Sequence, residues 1–575
     1  MRLMGEEGAE RPMDKYYRFK QNINLWYKEM TNFGLTEEEQ KTLEPYFKSS
    51  YGVPPSQEQL MRMLMDDKIC HFTLGEANAA RKVVGKKQMN KIPELHEKVL
   101  AQAASEKLGQ YVWKHGVGPQ MGYSFSVIHA LAYSFIGVQT LFIATHWNPI
   151  YWNTACLIVN SGATDPDNGG QTDYSKIAKA MGKIMNAGIN LSLVNINSSG
   201  YGFEPDAKNN RILYGMKAML NVGEDVIEAT IKNRPYVSVK DYYYKVKPGK
   251  QAMISLIKGG AFDEMMDRKT CMGWFIWETC DKKSRLTLQN MASLIKYNLL
   301  PEDTQEKITA RRVYEFNRYL KAVCKDNGNQ YKLDERAINF LSELDCSSMI
   351  INNIFLPVKT WDKYYQKWMD VFRNWIAADK DQILQNLNDL IFKADWDKYA
   401  SGNISAWEME ALCFYYHEHE LAHVDNSRYG FVDFYKLPEE PIVDHTYMRR
   451  GKEINLFKLH RICGTCIAKD KVKSTISLLT TTGVVTVKFR KEYFSLFDKQ
   501  ISQKGEDGVK HVVEKSWFNR GSMLIVMGIR SGDDFISKKY ASSGGHQLYK
   551  IDSIDKKGIL TIREERYQGE SEDSE

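Results

Sequence analysis

The chain has 575 residues, of which 43% are hydrophobic and 12% aromatic, and its 78 basic and 72 acidic side chains leave a formal net charge of +6. This length predicts roughly three to five domains, and the apolar content excludes a chain that is disordered throughout. Because the net charge is small, a polyanionic partner would have to be bound by local basic patches.

The nine cysteines are scattered, which excludes a secreted disulfide framework and is typical of a reducing cytoplasm. Cys463 and Cys466 form a single CxxC pair, for which we expect burial in a strand and no bound metal. The N-terminus lacks the apolar core of a signal peptide. No apolar run approaches the roughly 18–20 residues of a membrane span, so we expect no membrane partner.

The first half of the chain is predicted to be mainly helical. Residues 37–180 repeat apolar side chains at three- and four-residue spacing, which predicts a helical domain over 1–160. A Gly-, Asp- and Asn-rich connector over 161–173 predicts a boundary near Ser161. Two helical segments that each contain a glycine turn, residues 215–231 and 251–263, predict a tandem helix-hairpin-helix domain over 161–270.

The second half changes from helical to β-rich texture. Residues 271–440 again have helical periodicity and are interpreted as a spacer domain. Over 441–562 we predict a β-barrel of the oligonucleotide-binding (OB) type. Five strand-sized segments, 460–470, 474–490, 522–532, 546–555 and 558–565, and a helical interruption near 492–501 support that prediction. The closing segment 563–575 is acidic and expected to be disordered.

A basic cluster ends the segment FTLGEANAARKVVGKK, residues 72–87. Arg81 and Lys82 are followed one helical turn later by Gly85, Lys86 and Lys87, so four cations gather around a helix end. Such a cluster suits a triphosphate. Taken alone, it is more typical of a solvated basic helix face.

The motifs on both sides of this cluster resemble, in order and spacing, the fingers of C-family replicases, the α subunits of bacterial DNA polymerase III. The matching residues are Tyr51, Gly52, Gln57, Glu58, Gln59, Leu74, Gly75 and Ala77 before the cluster, and Gly122, Tyr123, Phe125, His129, Ala132, Tyr133, Gln139 and Thr140 after it. Downstream, residues 211–231 and 255–263 resemble that family's helix-hairpin-helix and its closing signature, residues 407–423 resemble the segment that precedes its barrel, and residues 484–499 resemble a strand and helix of that barrel. The resemblance implies a DNA-directed DNA polymerase acting in replication.

The resemblance also implies roles for particular residues. The residues expected to bind the deoxynucleotide triphosphate are Arg81, Lys82, Lys86, Lys87, Gln57 and His129. DNA binding falls to Lys217, Asn221, Val222 and Gly223, whose glycine turn exposes backbone N–H groups to a phosphate, and to Lys488, Phe489 and Arg490 on single-stranded template. Primer-template DNA and deoxynucleotide triphosphates are therefore the expected ligands.

Two departures from the family pattern matter. Ser126, Val127 and Ile128 replace an Asn-Lys-Ser motif, which removes a cation, and Ser56 replaces an aromatic residue. The family's catalytic carboxylates lie in a palm domain that precedes the segment resembled by residues 10–13, where this chain begins. We therefore expect no catalytic residue in this chain, Mg²⁺ on a palm-containing partner chain, and one half of a split, phage-type polymerase in a bacterial cytoplasm, inactive alone.

Two other functions stay open. A non-catalytic DNA-binding accessory protein would keep the hairpins and barrel while losing the nucleotide site. A zinc metalloprotease is suggested by His419, Glu420 and His423, which spell HExxH within a predicted helix. A sliding clamp is a further candidate partner, through residues 493–498 or 385–392, although the first segment falls where the barrel requires a buried helix.

Overall fold

The computed structural model describes residues 10, 12–53, 56–86, 88–122, 126–162, 172–326, 328–449, 451–504, 510–540 and 544–567. Lys87, Tyr123, Phe125, most of the predicted connector and the last eight residues lie outside these ranges. The chain falls into two compact units, residues 1–149 and 150–575, and each is described by itself.

The first unit is built from helices, as the periodicity predicts. They are α1 Pro12–Gln21, α2 Asn24–Phe33, α3 Glu37–Phe47, α4 Gln57–Met65, α5 Leu74–Gly85, α6 Ile92–Gln102, α7 Glu106–Tyr111, α8 Gly118–Gly122 and α9 Val127–His146. Thr36 and Thr73 start α3 and α5 with capping boxes, in which each threonine and a glutamate three residues later satisfy free N–H groups. Trp26, Phe47 and Tyr111 are fully buried in the hydrophobic core of this unit.

Helix α9 differs from the others because none of its 20 residues is buried. By length and composition alone it is apolar enough to cross a membrane. The expectation that no apolar run approaches that length is therefore wrong. Polar residues such as His129, Ser134 and Gln139 interrupt the apolar run in the sequence without adding a charge. The sequence therefore shows several short apolar runs in place of one long run.

The second unit begins with helices and two small sheets. Its helices are α10 Pro149–Ser161, α11 Tyr174–Asn186, α12 Glu224–Lys232, α13 Val239–Val246, α14 Lys250–Lys258, α15 Arg268–Thr279, α16 Met291–Lys296, α17 Gln305–Val323, α18 Glu335–Glu343, α19 Val358–Ala378, α20 Lys380–Tyr399, α21 Ile404–Leu412, α22 Asn426–Tyr429 and α23 Lys491–Asp498. The sheets are β1 Asn190–Leu191, β3 Arg211–Leu213 and β2 Glu204–Asp206 in that order, and β4 Lys325–Asp326, β5 Gln330–Lys332 and β6 Phe355–Pro357. The sequence patterns did not predict these short strands.

The remaining strands belong to the C-terminal region. They are β7 Val443–Arg449, β8 Lys452–Phe457, β9 His460–Asp470, β10 Thr475–Leu479, β11 Val484–Lys488, β12 Ile501–Lys504, β13 Lys510–Glu514, β14 Met523–Ser531, β15 Asp534–Ser537, β16 Leu548–Ile554 and β17 Leu560–Arg563. Strands β9, β10, β11, β15 and β14 pair in that order, and β14 pairs again with β9, so the barrel is closed. Only the β11–β15 pairing within it is parallel. With α23 between β11 and β14, this is the predicted OB-like barrel.

The membership of the barrel differs from the sequence prediction. Segment 474–490 supplies two strands, β10 and β11, because Gly483 allows a tight reversal between them at a φ of 154°. Strand β15 has four residues and was not predicted. Segments 546–555 and 558–565 form β16 and β17, which extend the sheet beyond β14.

The CxxC pair lies in β9, as predicted. Both thiols are free, and burial raises the pKa of Cys463 and of Cys466 to about 12. Thiols held protonated in this way are poor metal ligands and weak nucleophiles.

Candidate nucleotide and DNA interface

Arg81 is held in place by two side chains. Its Nη1 donates to Oε1 of Gln57 at 2.9 Å, and its Nε and Nη2 donate to Oδ1 of Asn78 at 3.1 and 2.9 Å. Gln57 begins α4 and Arg81 lies in α5, so two predicted nucleotide-binding residues meet across a helix pair. Asn78 was not predicted, although its position one turn before Arg81 is a recognisable signal.

Two exposed lysines extend this arrangement. Lys82 and Lys86 lie within one turn of each other at the end of α5. Neither makes an ion pair with a carboxylate in the part of the chain that the structure describes. Exposed cations without an intramolecular partner are available to an anionic ligand. Lys87, the fourth predicted cation, lies outside the described residues.

The other end of α5 is fixed. Glu76 closes the capping box by accepting from the backbone N–H of Thr73 at 2.8 Å, and its other oxygen lies 2.7 Å from Nζ of Lys98. Hydrogen bonds from Lys98 and then from Thr73 lower the pKa of Glu76 to about 2. The helix that carries Arg81 is therefore anchored at its start by a carboxylate that stays ionised at neutral pH.

Glu58 joins α4 to the start of α9, a role that sequence patterns did not reveal. Its carboxylate accepts from Oγ of Ser126 at 2.6 Å and from the backbone N–H of Val127 at 3.0 Å. Burial opposes ionisation, but these two hydrogen bonds lower the pKa of Glu58 overall. His129, one turn further along α9, is exposed and lies edge-on to Tyr133 at 4.5 Å between ring centroids.

The first predicted DNA hairpin places its residues differently. Asn221 adopts a left-handed φ of 59° and donates to Ser255, Val222 is buried, and Gly223 precedes the first turn of α12. Nζ of Lys217 lies 2.7 Å from Oε1 of Glu224, and this hydrogen bond raises the pKa of Lys217. A phosphate at this turn would meet a lysine that is already paired, beside two acidic residues of the first helical turn.

The hairpin between α13 and α14 is a second candidate DNA-binding site, which the sequence analysis did not identify. Lys247, with a left-handed φ of 51°, ends α13, and Gly249 precedes α14, whose first turn has no acidic residue. A Cβ added at Gly249 would meet no atom within 4 Å, so this helix start is open. Lys247 is exposed, and Lys250 lies 2.8 Å from Asp395. The KPGK sequence, in which lysines flank a Pro-Gly turn, was the available signal.

Of the three barrel residues predicted to bind single-stranded template, two are exposed and one is buried. Nζ of Lys488 lies 2.5 Å from Asp534, and Arg490 is exposed just before α23. Phe489 is only 8% exposed and packs against Phe518 at 5.0 Å between ring centroids. A ring buried in the barrel core is not presented to a base, so the predicted stacking role does not fit Phe489.

The HExxH segment is not a helix, contrary to the sequence interpretation. Helix α21 ends at Leu412 because Cys413 turns into a left-handed φ of 56°. Nε2 of His419 lies 3.0 Å from the carbonyl oxygen of Leu479, and its Nδ1 accepts from the N–H of Leu421 at 3.0 Å. Since both ring nitrogens are already used, His419 cannot be a zinc ligand in this structure.

The two candidate clamp peptides lie in helices that use their apolar residues for packing. Leu387 and Ile391 of segment 385–392 are buried in α20, and Phe494 and Phe497 of segment 493–498 are buried in α23. Leu496 is the exposed apolar residue of the second peptide, at 57%. Among the described residues, no three His, Cys, Asp or Glu side chains lie close enough to hold a metal ion.

Two families match by sequence. The one described as "Bacterial DNA polymerase III alpha subunit finger domain" matches residues 12–107, and the one described as "Helix-hairpin-helix motif" matches residues 188–271. Arg81 and Gln57 lie in the first region, and both hairpins lie in the second. The matched regions thus contain the described residues of the candidate nucleotide and duplex sites, except His129.

Longer relatives carry polymerase names. The chain is 38% identical over 590 residues to "Probable DNA polymerase YorL" of Bacillus subtilis and to "DNA-directed DNA polymerase" of Bacillus phage SPbeta, covering 98% of this chain and 45% of each relative. It is 28% identical over 240 residues to "DNA polymerase III subunit alpha" of Thermus aquaticus, covering 40% of this chain and 18% of that protein. The chain therefore spans less than half the length of these relatives. It is a DNA polymerase III α-like protein with that family's finger domain and a helix-hairpin-helix motif.

Proposed function

We propose that this chain is a subunit of a DNA-directed DNA polymerase that acts in DNA replication in a bacterial cytoplasm, and that a partner chain supplies the palm. The observation that carries the proposal is the Arg81 guanidinium, held by Gln57 within the finger-domain match. A positioned guanidinium beside exposed lysines is suited to the phosphates of an incoming nucleotide.

The proposed division of labour follows the predicted domains. Residues 1–160 grip the deoxynucleotide triphosphate, residues 161–270 hold duplex DNA, residues 271–440 act as a spacer, and residues 441–562 guide single-stranded template. The open helix start at Gly249 supports the duplex role because backbone N–H groups at a helix N-terminus bind phosphate. Exposed Arg490 supports a role of the barrel in strand binding.

The palm and its Mg²⁺ are proposed to lie on the partner chain. More than half of the length of the SPbeta relative has no counterpart in these 575 residues, which leaves room for a palm domain. When bound there, Mg²⁺ would stabilise the charge that develops on the transferred phosphoryl group. The role of this chain is to hold the triphosphate with Arg81, Lys82 and Lys86 and to position the primer-template.

Primer extension tests the proposal. The chain is assayed alone and together with the part of the SPbeta polymerase outside the matched region, expressed as a separate polypeptide. We expect extension only from the mixture, and a loss of at least about tenfold with Arg81→Ala plus Lys86→Ala, since each removes a charge-assisted contact. Arg62→Ala plus Lys41→Ala, which removes equal charge from exposed positions of the same unit, is the control and should extend normally.

Extension by this chain alone would contradict the partner assignment, and an unaffected Arg81 and Lys86 variant would contradict the nucleotide grip. A non-catalytic accessory protein is the second candidate, favoured by Val127, an exposed apolar residue where the family has a cation. If the chain binds DNA with strong salt dependence but nucleotide does not protect residues 81–86 from lysine modification in the ternary complex, the accessory function is correct.

A further inference from the structure

Helix α9 is apolar on all sides and exposed on all sides. One face carries Leu131, Phe135, Val138 and Phe142, which follow four- and three-residue spacing and are 54%, 61%, 65% and 54% exposed. The opposite face carries Tyr133, Ile136 and Ile143, which are 65%, 58% and 47% exposed. An amphipathic helix that lies in a single groove needs only one such face.

A helix of this composition is normally covered. Its 20 residues, VIHALAYSFIGVQTLFIATH, contain no Asp, Glu, Lys or Arg. Helices that are hydrophobic all round belong in the interior of a large protein or in a membrane, and soluble monomers seldom expose a contiguous apolar patch of this size. We therefore expect both faces of α9 to be buried against another surface.

Its polar side chains favour protein as the cover. His129 and Gln139 lie on different sides of α9 and are exposed. Hydrocarbon cannot satisfy an imidazole or a carboxamide, whereas a protein surface can offer hydrogen-bond partners to both. The start of α9 is also tied by Glu58 to the helix that carries Gln57, so the helix emerges directly from the proposed nucleotide site.

The greater length of the relatives points to one candidate for this cover. The SPbeta relative matches 98% of this chain, yet that match accounts for only 45% of the relative. More than half of that relative thus lies outside the matched region. We propose that α9 is a docking helix that inserts into that remaining, palm-bearing portion of the polymerase and is wrapped by it on both faces. This inference rests on the proposed function and names the surface through which the two portions assemble.

The test compares two matched substitutions. Val138→Glu places a charge on the face of α9 opposite His129, and Val323→Glu places the same charge at an exposed position of α17, where Val323 is 55% exposed. The probe is the part of the SPbeta polymerase outside the matched region, immobilised for biolayer interferometry. We expect Val138→Glu to weaken binding at least about tenfold, because a charge is forced into a dry interface, and Val323→Glu to bind like wild type.

Three results would overturn the docking helix. Val138→Glu could lower the melting temperature of the isolated chain by more than about 2 °C, which would mean that the helix packs within this chain. Wild type could sediment as a dimer that Val138→Glu dissociates, or could float with phosphatidylglycerol vesicles while the variant does not. In either case a second copy or a membrane is the cover. Failure of wild type to bind the probe also overturns the proposal.

The binding and primer-extension assays together distinguish failure of the docking helix from failure of the proposed function. If wild type binds the probe, Val138→Glu does not, and the wild-type mixture extends no primer, the docking surface stands and the polymerase assignment falls. If the mixture extends a primer and Val138→Glu binds as tightly as wild type, the assignment stands and the docking helix falls.

Discussion

Arg268 and Glu408 form an ion pair in which Nη1 lies 3.0 Å from Oε1 and the Glu408 side chain has no exposed surface. The same guanidinium group donates to the carbonyl oxygen of Lys258 and to Asp263. The second oxygen of Glu408 accepts from the backbone N–H groups of Tyr416 and His417 at 2.9 and 3.0 Å. This pair therefore links the end of the helix-hairpin-helix region to the segment that leads into the barrel.

Removing one partner of this pair should be costly. Arg268→Ala leaves the buried Glu408 carboxylate without its guanidinium partner, and we expect the free energy of unfolding to fall by about 3–5 kcal/mol. Arg311→Ala, which breaks surface pairs with Glu302 and Glu315, should cost no more than about 1 kcal/mol. Urea unfolding followed by tryptophan fluorescence measures both. Equal destabilisation by the two variants would contradict the structural role of the buried pair.

The two hairpins should contribute unequally to DNA binding. Lys247 is exposed beside the open start of α14, whereas the ammonium group of Lys217 is paired with Glu224. We expect Lys247→Ala to weaken duplex binding and to reduce the slope of log K against log salt by about 1, the value for one lost phosphate contact. Lys217→Ala should change that slope less. Fluorescence anisotropy with labelled duplex at several salt concentrations provides the slopes, and the reverse order would assign the contact to the first hairpin.

Within the barrel, neighbouring residues should separate folding from strand binding. Phe489→Ala removes a core ring and should lower the free energy of unfolding by about 3–5 kcal/mol. Arg490→Ala should leave the melting temperature unchanged and weaken binding of single-stranded oligonucleotide. Differential scanning fluorimetry and anisotropy distinguish the two effects. Loss of strand binding by a Phe489→Leu variant with wild-type stability would instead mean that this ring contacts bases.

The pH dependence of stability should include a contribution from His419. Burial lowers the pKa of His419 to about 4 from an ordinary value of 6.5. Between these two pH values the unfolded chain binds a proton at His419 that the folded chain does not, so the free energy of unfolding falls as the pH is lowered through this window. Unfolding at pH 7 and pH 5 should show a smaller difference for His419→Gln than for wild type.

His423→Gln is the matched control, because His423 lies four residues further along the same turn-rich segment with a side chain that is 70% exposed. Because this exposed side chain is not buried as His419 is, the pH dependence of His423→Gln should stay closer to that of wild type than the pH dependence of His419→Gln does. If His419→Gln keeps the full pH dependence, a different group is responsible for it.

The barrel shows what sequence patterns predict well. Strand β9 spans His460–Asp470, the predicted segment, because its apolar run ends at polar residues on both sides. Strand β15 was missed since Asp534–Ser537 is too short to show a period, and it exists through its pairing with β11 and β14. Short strands of this kind are fixed by tertiary contacts rather than by local propensity.

The candidate site shows the same division. The basic residues at the end of α5 were predicted from their spacing, and the motif order supplied Gln57. The contact of Glu58 with Ser126 joins residues 68 apart in the chain, and no local pattern encodes such a contact. Likewise, the contact of His419 with the carbonyl oxygen of Leu479 joins residues 60 apart in the chain, and the HExxH spelling alone predicted a helix where the structure has turns.

The position of Glu58 has a mechanical consequence. It is bonded directly to Gln57, so one carboxylate restrains the start of α9 while the preceding carboxamide restrains the guanidinium group of Arg81. The start of α9 and the Arg81 side chain are therefore connected through one peptide unit and the hydrogen bonds of two neighbouring side chains. Two consecutive residues in the first turn of α4 thus hold side chains and backbone of two other helices, α5 and α9.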